Sequence, residues 1–172
     1  MCRRDSSYSV TGLDLSSLDD GTLTITADVN DLAGHSATQA TDSTTKDTAS
    51  PTISVAINDG GDGRLNAAED SSVTISGTTS GAEDGQTVSL NISSSSGGTP
   101  INTTASVSSN SYSVTGLDLS SLDDGTLSIT ADVDDLAGNS ATQATDSSTK
   151  DTASPTLSLI HISEPTRRLN IA

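Results

Sequence analysis

A chain of 172 residues with two Tyr and no Phe or Trp holds one or two small domains, and its core must come from Val, Ile, Leu, Ala and Thr methyls. Its 23 acidic residues against 7 basic ones give a net charge of −16, which excludes phosphate-backbone binding because that needs clustered Lys and Arg. No run approaches the roughly 18 apolar residues of a membrane span.

Taken in chain order, residues 1–5 (Met1, Cys2, Arg3, Arg4, Asp5) lack the apolar stretch of a signal peptide and read as a non-native leader. Cys2 has no partner cysteine, so the sequence has no disulfide framework. Residues 6–47 read as the C-terminal part of one repeat, carrying its last three strands. Residues 48–151 read as a complete repeat. Its first strand spans 51–57, with Ile53, Val55 and Ile57 on one face and Pro51 at the opening position, where a missing N–H is tolerated. Val73 and Ile75 mark the second strand, and Val88, Leu90 and Ile92 the third. A threonine-rich fourth at 101–107 is expected at an edge, and Tyr112 and Val114 lead the fifth. Leu127, Ile129, Ala131 and Val133 form the clearest strand, and 141–144 the last. Gly, Asp, Ser and Asn fill the gaps and no window has helical period. Seven short strands predict an all-β fold, an immunoglobulin-like Greek-key β-sandwich.

The repeat itself is explicit. Residues 7–52 recur at 111–156, offset by 104, with four changes: Thr24 to Ser128, Asn30 to Asp134, His35 to Asn139 and Thr44 to Ser148. A period of that length is one sandwich domain rather than a solenoid turn. The chain is therefore read as tandem repeats, one complete and one partial, with residues 152–158 beginning a third. Residues 159–172 depart from the repeat, resemble translated adapter sequence and read as a non-native tail. Alone, the partial repeat cannot bury both sheet faces.

Charge is concentrated in the repeats. Between residues 6 and 158 the basic residues are Lys46, Arg64 and Lys150, against 21 acids. Such a chain repels itself on compaction unless cations neutralise it. Disorder is the alternative, and the Val/Ile/Leu alternation argues against it. Of the 23 acids 20 are Asp, whereas solubility alone would use Glu as readily. Asp supplies a short, stiff carboxylate suited to Ca²⁺, which takes six to eight oxygens at about 2.3–2.6 Å.

Three clusters are candidate Ca²⁺ ligands. The loop 58–70 holds Asp59, and from Asp62 to Glu69 it matches the second half of a calcium loop, Asp-Gly-x5-Glu, with Gly63 at the bend and no flanking helices. The second cluster is Asp134 and Asp135, with Asp31 as the copy of Asp135. The third is linker Asp151 and its copy Asp47. In a seven-strand Greek key, loops alternate between poles. Loop 58–70 should then meet loop 118–124, while the loop with Glu83 and Asp84 meets 134–139 beside Asp47. For Asp14, Asp42, Asp118 and Asp146, ordinary turn chemistry is the preferred reading.

Five motifs in order carry a resemblance: Asp-Thr-x-x-Pro-Thr, Asp-Gly-x-x-Asn-Ala-Ala-Glu, Val-Thr-Ile-Ser-Gly-Thr, Asp-Gly-Gln-Thr-Val and Asp-Leu-Ala-Gly-Asn. Together they resemble bacterial immunoglobulin-like adhesin repeats. Within that family they are similar to the extender region of giant calcium-dependent ice-binding adhesins of the repeats-in-toxin class. The resemblance covers residues 6–158 and implies sandwiches joined by Ca²⁺-rigidified linkers that hold an adhesive domain away from the bacterial surface. It implies linker ligands at Asp47 and Asp151 and loop ligands at Asp31 and Asp135. His35, where the other copy has Asn139, departs from the pattern, since a ring nitrogen suits Ca²⁺ poorly.

The sequence thus points to a structural spacer of a secreted cell-surface adhesin, stiffened by Ca²⁺ and partnered by neighbouring repeats. The adhesive ligand would be contacted elsewhere in the protein. An adhesive module binding carbohydrate or a host ligand is the alternative, but sugar sites favour exposed aromatic platforms. Direct ice binding needs a short regular repeat that is missing. An enzyme is not expected: His35 is replaced in the second copy and His161 lies in the tail, so no base can be placed beside a nucleophile.

Overall fold

The computed structural model describes residues 7–158; the leader at 1–5 and the tail at 159–172 lie outside the described residues. Eleven strands and no helix make up the described residues. The partial repeat contributes β1 (Gly21–Ala27) and β2 (Ala40–Lys46), paired antiparallel as a separate two-stranded sheet. The complete repeat contributes β3 (Thr52–Ile53), β4 (Ala56–Asn58), β5 (Arg64–Leu65), β6 (Val73–Ser80), β7 (Thr87–Ser94), β8 (Ile101–Ser106), β9 (Ser111–Leu117), β10 (Gly125–Val133) and β11 (Ala144–Lys150).

Two sheets face each other in that repeat. One has the order β5-β11-β10-β7-β8; in the other, β3 and β4 pair along β6, and β9 pairs with β6 as well. All pairs are antiparallel except β5 with β11. Crossings from β6 to β7, β8 to β9 and β9 to β10 between the sheets give the expected immunoglobulin-like Greek-key sandwich. The period-2 pattern explains the packing. Val88, Leu90 and Ile92 of β7 lie beside Val133, Ala131 and Ile129 of β10, and all six are buried between the sheets. Full burial of each Ile, Leu or Val contributes about 1.5–3 kcal/mol. Leu65, Val73, Ile75, Leu119, Leu122, Leu127 and Tyr112 are among the residues that join those six in the core.

The complete repeat has nine strands rather than the seven expected, and boundaries differ from the sequence reading in four places. Arg64–Leu65 leaves the 58–70 loop to pair with β11 as β5. The first strand splits into β3 and β4, because Ser54 leaves the ladder and bonds Thr78 through both its N–H and its hydroxyl. The last strand runs over Ala144–Lys150, not 141–144. Its sequence ATDSSTK has no hydrophobic run, and pairing with β10 places it. The partial repeat has two strands rather than three: among the described residues its segment 7–20, the copy of 111–124, forms none.

That difference sets two environments for one sequence. β1 and β2 keep the register of β10 and β11, from Gly21↔Lys46 to Ala27↔Ala40. Yet Ile25 is 58% exposed where Ile129 is fully buried, and Tyr8 is 79% exposed against 4% for Tyr112. β7 and the facing sheet, not local propensity, bury this segment.

Candidate functional site at the inter-repeat junction

Loops do share poles as the topology demands. At one pole, the 135–139 turn meets both the β6–β7 loop and the incoming linker. Asp135 is 4% exposed. Its two carboxylate oxygens accept from the Asn139 backbone N–H (2.7 Å) and the Asn139 side-chain amide (2.8 Å). The same Nδ2 donates to the Asp47 carbonyl at 3.2 Å, and Glu83 Oε2 accepts from Leu136 N–H at 2.8 Å. Linker, β6–β7 loop and β10–β11 turn are thus stitched around one buried carboxylate. Hydrogen bonding from the Asn139 side chain outweighs burial and holds the Asp135 carboxyl below its ordinary range.

In the partial repeat the same turn is open. Asp31 accepts from Ala33 N–H, His35 N–H and the His35 ring Nδ1 at 2.8–2.9 Å, and its side chain is 56% exposed.

At the opposite pole the 58–70 loop meets 118–124 through Leu119 N–H to the Asp70 carbonyl at 2.7 Å. The outgoing linker leaves here, with Asp151 N–H on the Leu65 carbonyl at 2.9 Å. Lys150, 4% exposed, ends β11. Its Nζ donates to the Leu122 carbonyl at 2.6 Å and stands 3.4 Å from Asp70 Oδ2 and 4.0 Å from Asp124 Oδ1. Asp124 in turn accepts from Thr152 N–H and Oγ1, each at 3.0 Å.

The nine candidate ligands are spread over these places. Asp135 and Asp47 come together through Asn139. Asp59 accepts from Gly61 N–H and the Ser148 hydroxyl; despite a desolvation cost, these bonds hold its carboxyl below the ordinary range. Asp62 accepts from Arg64 N–H, and Glu69 reaches back to Asn66 N–H. Asp84 caps the turn at Ser109, and Asp47 and Asp151 bond Ala49 and Ala153 N–H two residues on. Asp134 is exposed at a bridge with Ser140, and Asp31 lies in the open turn. Among the described residues, no group of three or more His, Cys, Asp or Glu side chains stands in metal-holding geometry. The expected convergence of acids from different loops on one point is therefore not seen: a short Asp side chain reaches its own turn's N–H before a neighbour's carboxylate.

The turn reading of other acids splits. Asp14 and Asp118 accept from the N–H two residues on, and hydrogen bonding from the Ser16 and Ser120 side chains first, then from their backbones, holds both carboxyls below their ordinary range. Asp146 instead lies in β11 and accepts from Ile57 N–H at 2.9 Å, joining β11 to β4 of the other sheet. Its copy Asp42 also lies in a strand, β2. Sequence reasoning missed the paired Asp70 and Lys150. Their signal was a basic residue kept at the same repeat position in so acidic a chain.

No protein-family model matches the chain, and no curated protein does. Among solved structures, it is similar to the tetra-tandem repeat in the extending region of a large adhesion protein: TM-score 0.57, 32% identity, 83% of this chain and 34% of that one. A Ca²⁺-stabilized adhesin with which an Antarctic bacterium reaches out and binds ice aligns at TM-score 0.44 and 28% identity, over 79% of this chain and 33% of that one. A bacterial immunoglobulin-like domain of the M. primoryensis ice-binding adhesin aligns at TM-score 0.41 and 29% identity, over 60% of this chain and all of that one. The chain spans about a third of the length of the first two. In fold and in sequence, the chain is thus similar to the tetra-tandem repeat of a large adhesion protein's extending region, as its five motifs indicate.

Proposed function

We propose that this segment is a structural extender of a secreted bacterial cell-surface adhesin, whose work is to hold an adhesive part at a distance. One observation carries the reading: a short linker, 47–50, joins the partial repeat to the complete one and is hydrogen-bonded from both sides. Asp20 of the preceding repeat takes Thr48 N–H, and Asn139 of the following one donates to the Asp47 carbonyl. The similarity to a tetra-tandem extending region supports it. No helix among the described residues is long and apolar enough to cross a membrane. The partners on this reading are neighbouring repeats.

Stiffening by Ca²⁺ is the finer part of the proposal. The donors at the Asp135 pole suit a hard cation in kind, being carboxylates and carbonyls. In number they fall short, and the Asp135 oxygens are held by Asn139. The proposed ion would sit at the joint with Asp47 and Asp135 as ligands, their copies Asp151 and Asp31 holding the equivalent positions at the following and the preceding joint. Asp59, Asp62, Glu69, Asp84 and Asp134 rank below these, since no shared point joins them.

Calcium titration of the chain, followed by melting temperature and small-angle scattering, tests this part. The expected result is a higher melting temperature and a longer, narrower particle with Ca²⁺. Equal values in calcium and in chelator remove the metal and leave the spacer. A glycan array separates spacer from lectin: no hits are expected, and specific hits overturn the spacer reading.

A further inference from the structure

We infer that the lysine ending each repeat's last strand is the built-in cation that aims the outgoing linker, so one side of every joint is fixed without metal. The inference rests on the spacer reading for its purpose. Lys46 and Lys150 are two of the three basic residues between positions 6 and 158, and both occupy the same repeat position. In a stretch where acids outnumber bases sevenfold, a cation held at 3% side-chain exposure must be matched by fixed partners.

The partners recur in both copies. Lys46 Nζ donates to the Leu18 carbonyl at 2.7 Å and to Asp20 Oδ1 at 2.9 Å. Lys150 Nζ donates to the Leu122 carbonyl at 2.6 Å and leans between Asp70 and Asp124. Each of these aspartates, Asp20 and Asp124, then takes the N–H and hydroxyl of the linker threonine, Thr48 or Thr152, at 2.8–3.1 Å. Lys46 therefore orients its carboxylate by a hydrogen bond, Lys150 faces Asp124 by charge alone at 4.0 Å, and in both copies the carboxylate orients the first linker residues. The two copies differ as their surroundings require. Lys150 has a second carboxylate, Asp70, and stands farther from Asp124. Lys46 has no counterpart of Asp70 in the described residues, and closes onto Asp20 with a side chain 18% exposed.

Amide hydrogen exchange on the whole chain in EDTA tests the assignment. Thr48 and Thr152 N–H should keep their protection when calcium is stripped. K46M should lower protection at Thr48 at least tenfold while leaving Thr152 and the complete repeat's melting unchanged, and K46R should restore part of it. K150M should do the same at Thr152; because Lys150 is buried, K46M is the variant that stays informative if K150M unfolds. Protection lost in EDTA alone, or unchanged in K46M, overturns the inference. A positive glycan array would strike the spacer reading and leave these exchange rates as they are.

Discussion

The hydroxyl of Tyr112 donates to the Ser54 carbonyl at 2.6 Å, pinning β9 to the break between β3 and β4, while its copy Tyr8 stands exposed. Tyr112→Phe should destabilise the complete repeat by about 1–2 kcal/mol, since it leaves a carbonyl without its donor. Tyr8→Phe should be silent. Denaturant unfolding of the two variants checks the contrast.

The same tyrosine dictates an alkaline limit. Burial pushes its pKa up to about 12 from 10.0. The folded state thus holds the phenol proton more tightly than the unfolded one, and stability from this group is intact below pH 10 and lost as pH rises toward 12. The full loss is on the order of 2–3 kcal/mol. Tyr112→Phe should flatten that slope, as read from melting temperature against pH.

Gly77 of β6 lies under this bond. A Cβ there would overlap the Ser54 carbonyl oxygen and sit 2.6 Å from the Tyr112 hydroxyl. Gly77→Ala should therefore cost about 1–3 kcal/mol by overpacking, although alanine suits a strand better than glycine does. Equal stability in unfolding experiments would show that the β3–β4 break can yield.

Identical sequence in two settings gives a sharper contrast. Ile129→Ala should cost about 2–5 kcal/mol, and Ile25→Ala, at an exposed position of the same motif, less than about 0.5 kcal/mol. This pair also shows what could be read beforehand. Alternating Val88, Leu90, Ile92 and Leu127, Ile129, Ala131 announced β7 and β10, because period-2 burial leaves its mark on side-chain type. β11 left no such mark: its buried positions are Ser148 and Lys150, held by ladder pairing, Asp59 and Leu122. Pole assignment was legible too, since it follows from loop alternation. Convergence of the carboxylates was not. It depends on whether each Asp spends its oxygens on its own turn, as Asp47, Asp62 and Asp151 do, on another segment, as Asp146 does, or one on each, as Asp59 does.

Acid should open the joint late. Lys46, with Thr48 N–H and hydroxyl, holds the Asp20 carboxyl at about 2 against an ordinary 3.8. The folded state thus binds that proton less readily than the unfolded one. The linker bonds are complete above the ordinary value and are lost as pH falls through about 2. An NMR titration of the Thr48 amide should show its midpoint there, and K46M should move the midpoint up toward the ordinary carboxylate range, because the lysine hydrogen bond is the largest of the causes. A Thr48 midpoint already at 3.8 in the unaltered chain would mean that Asp20 and Lys46 do not pair in solution, and that the linker takes its direction from Asn139 alone.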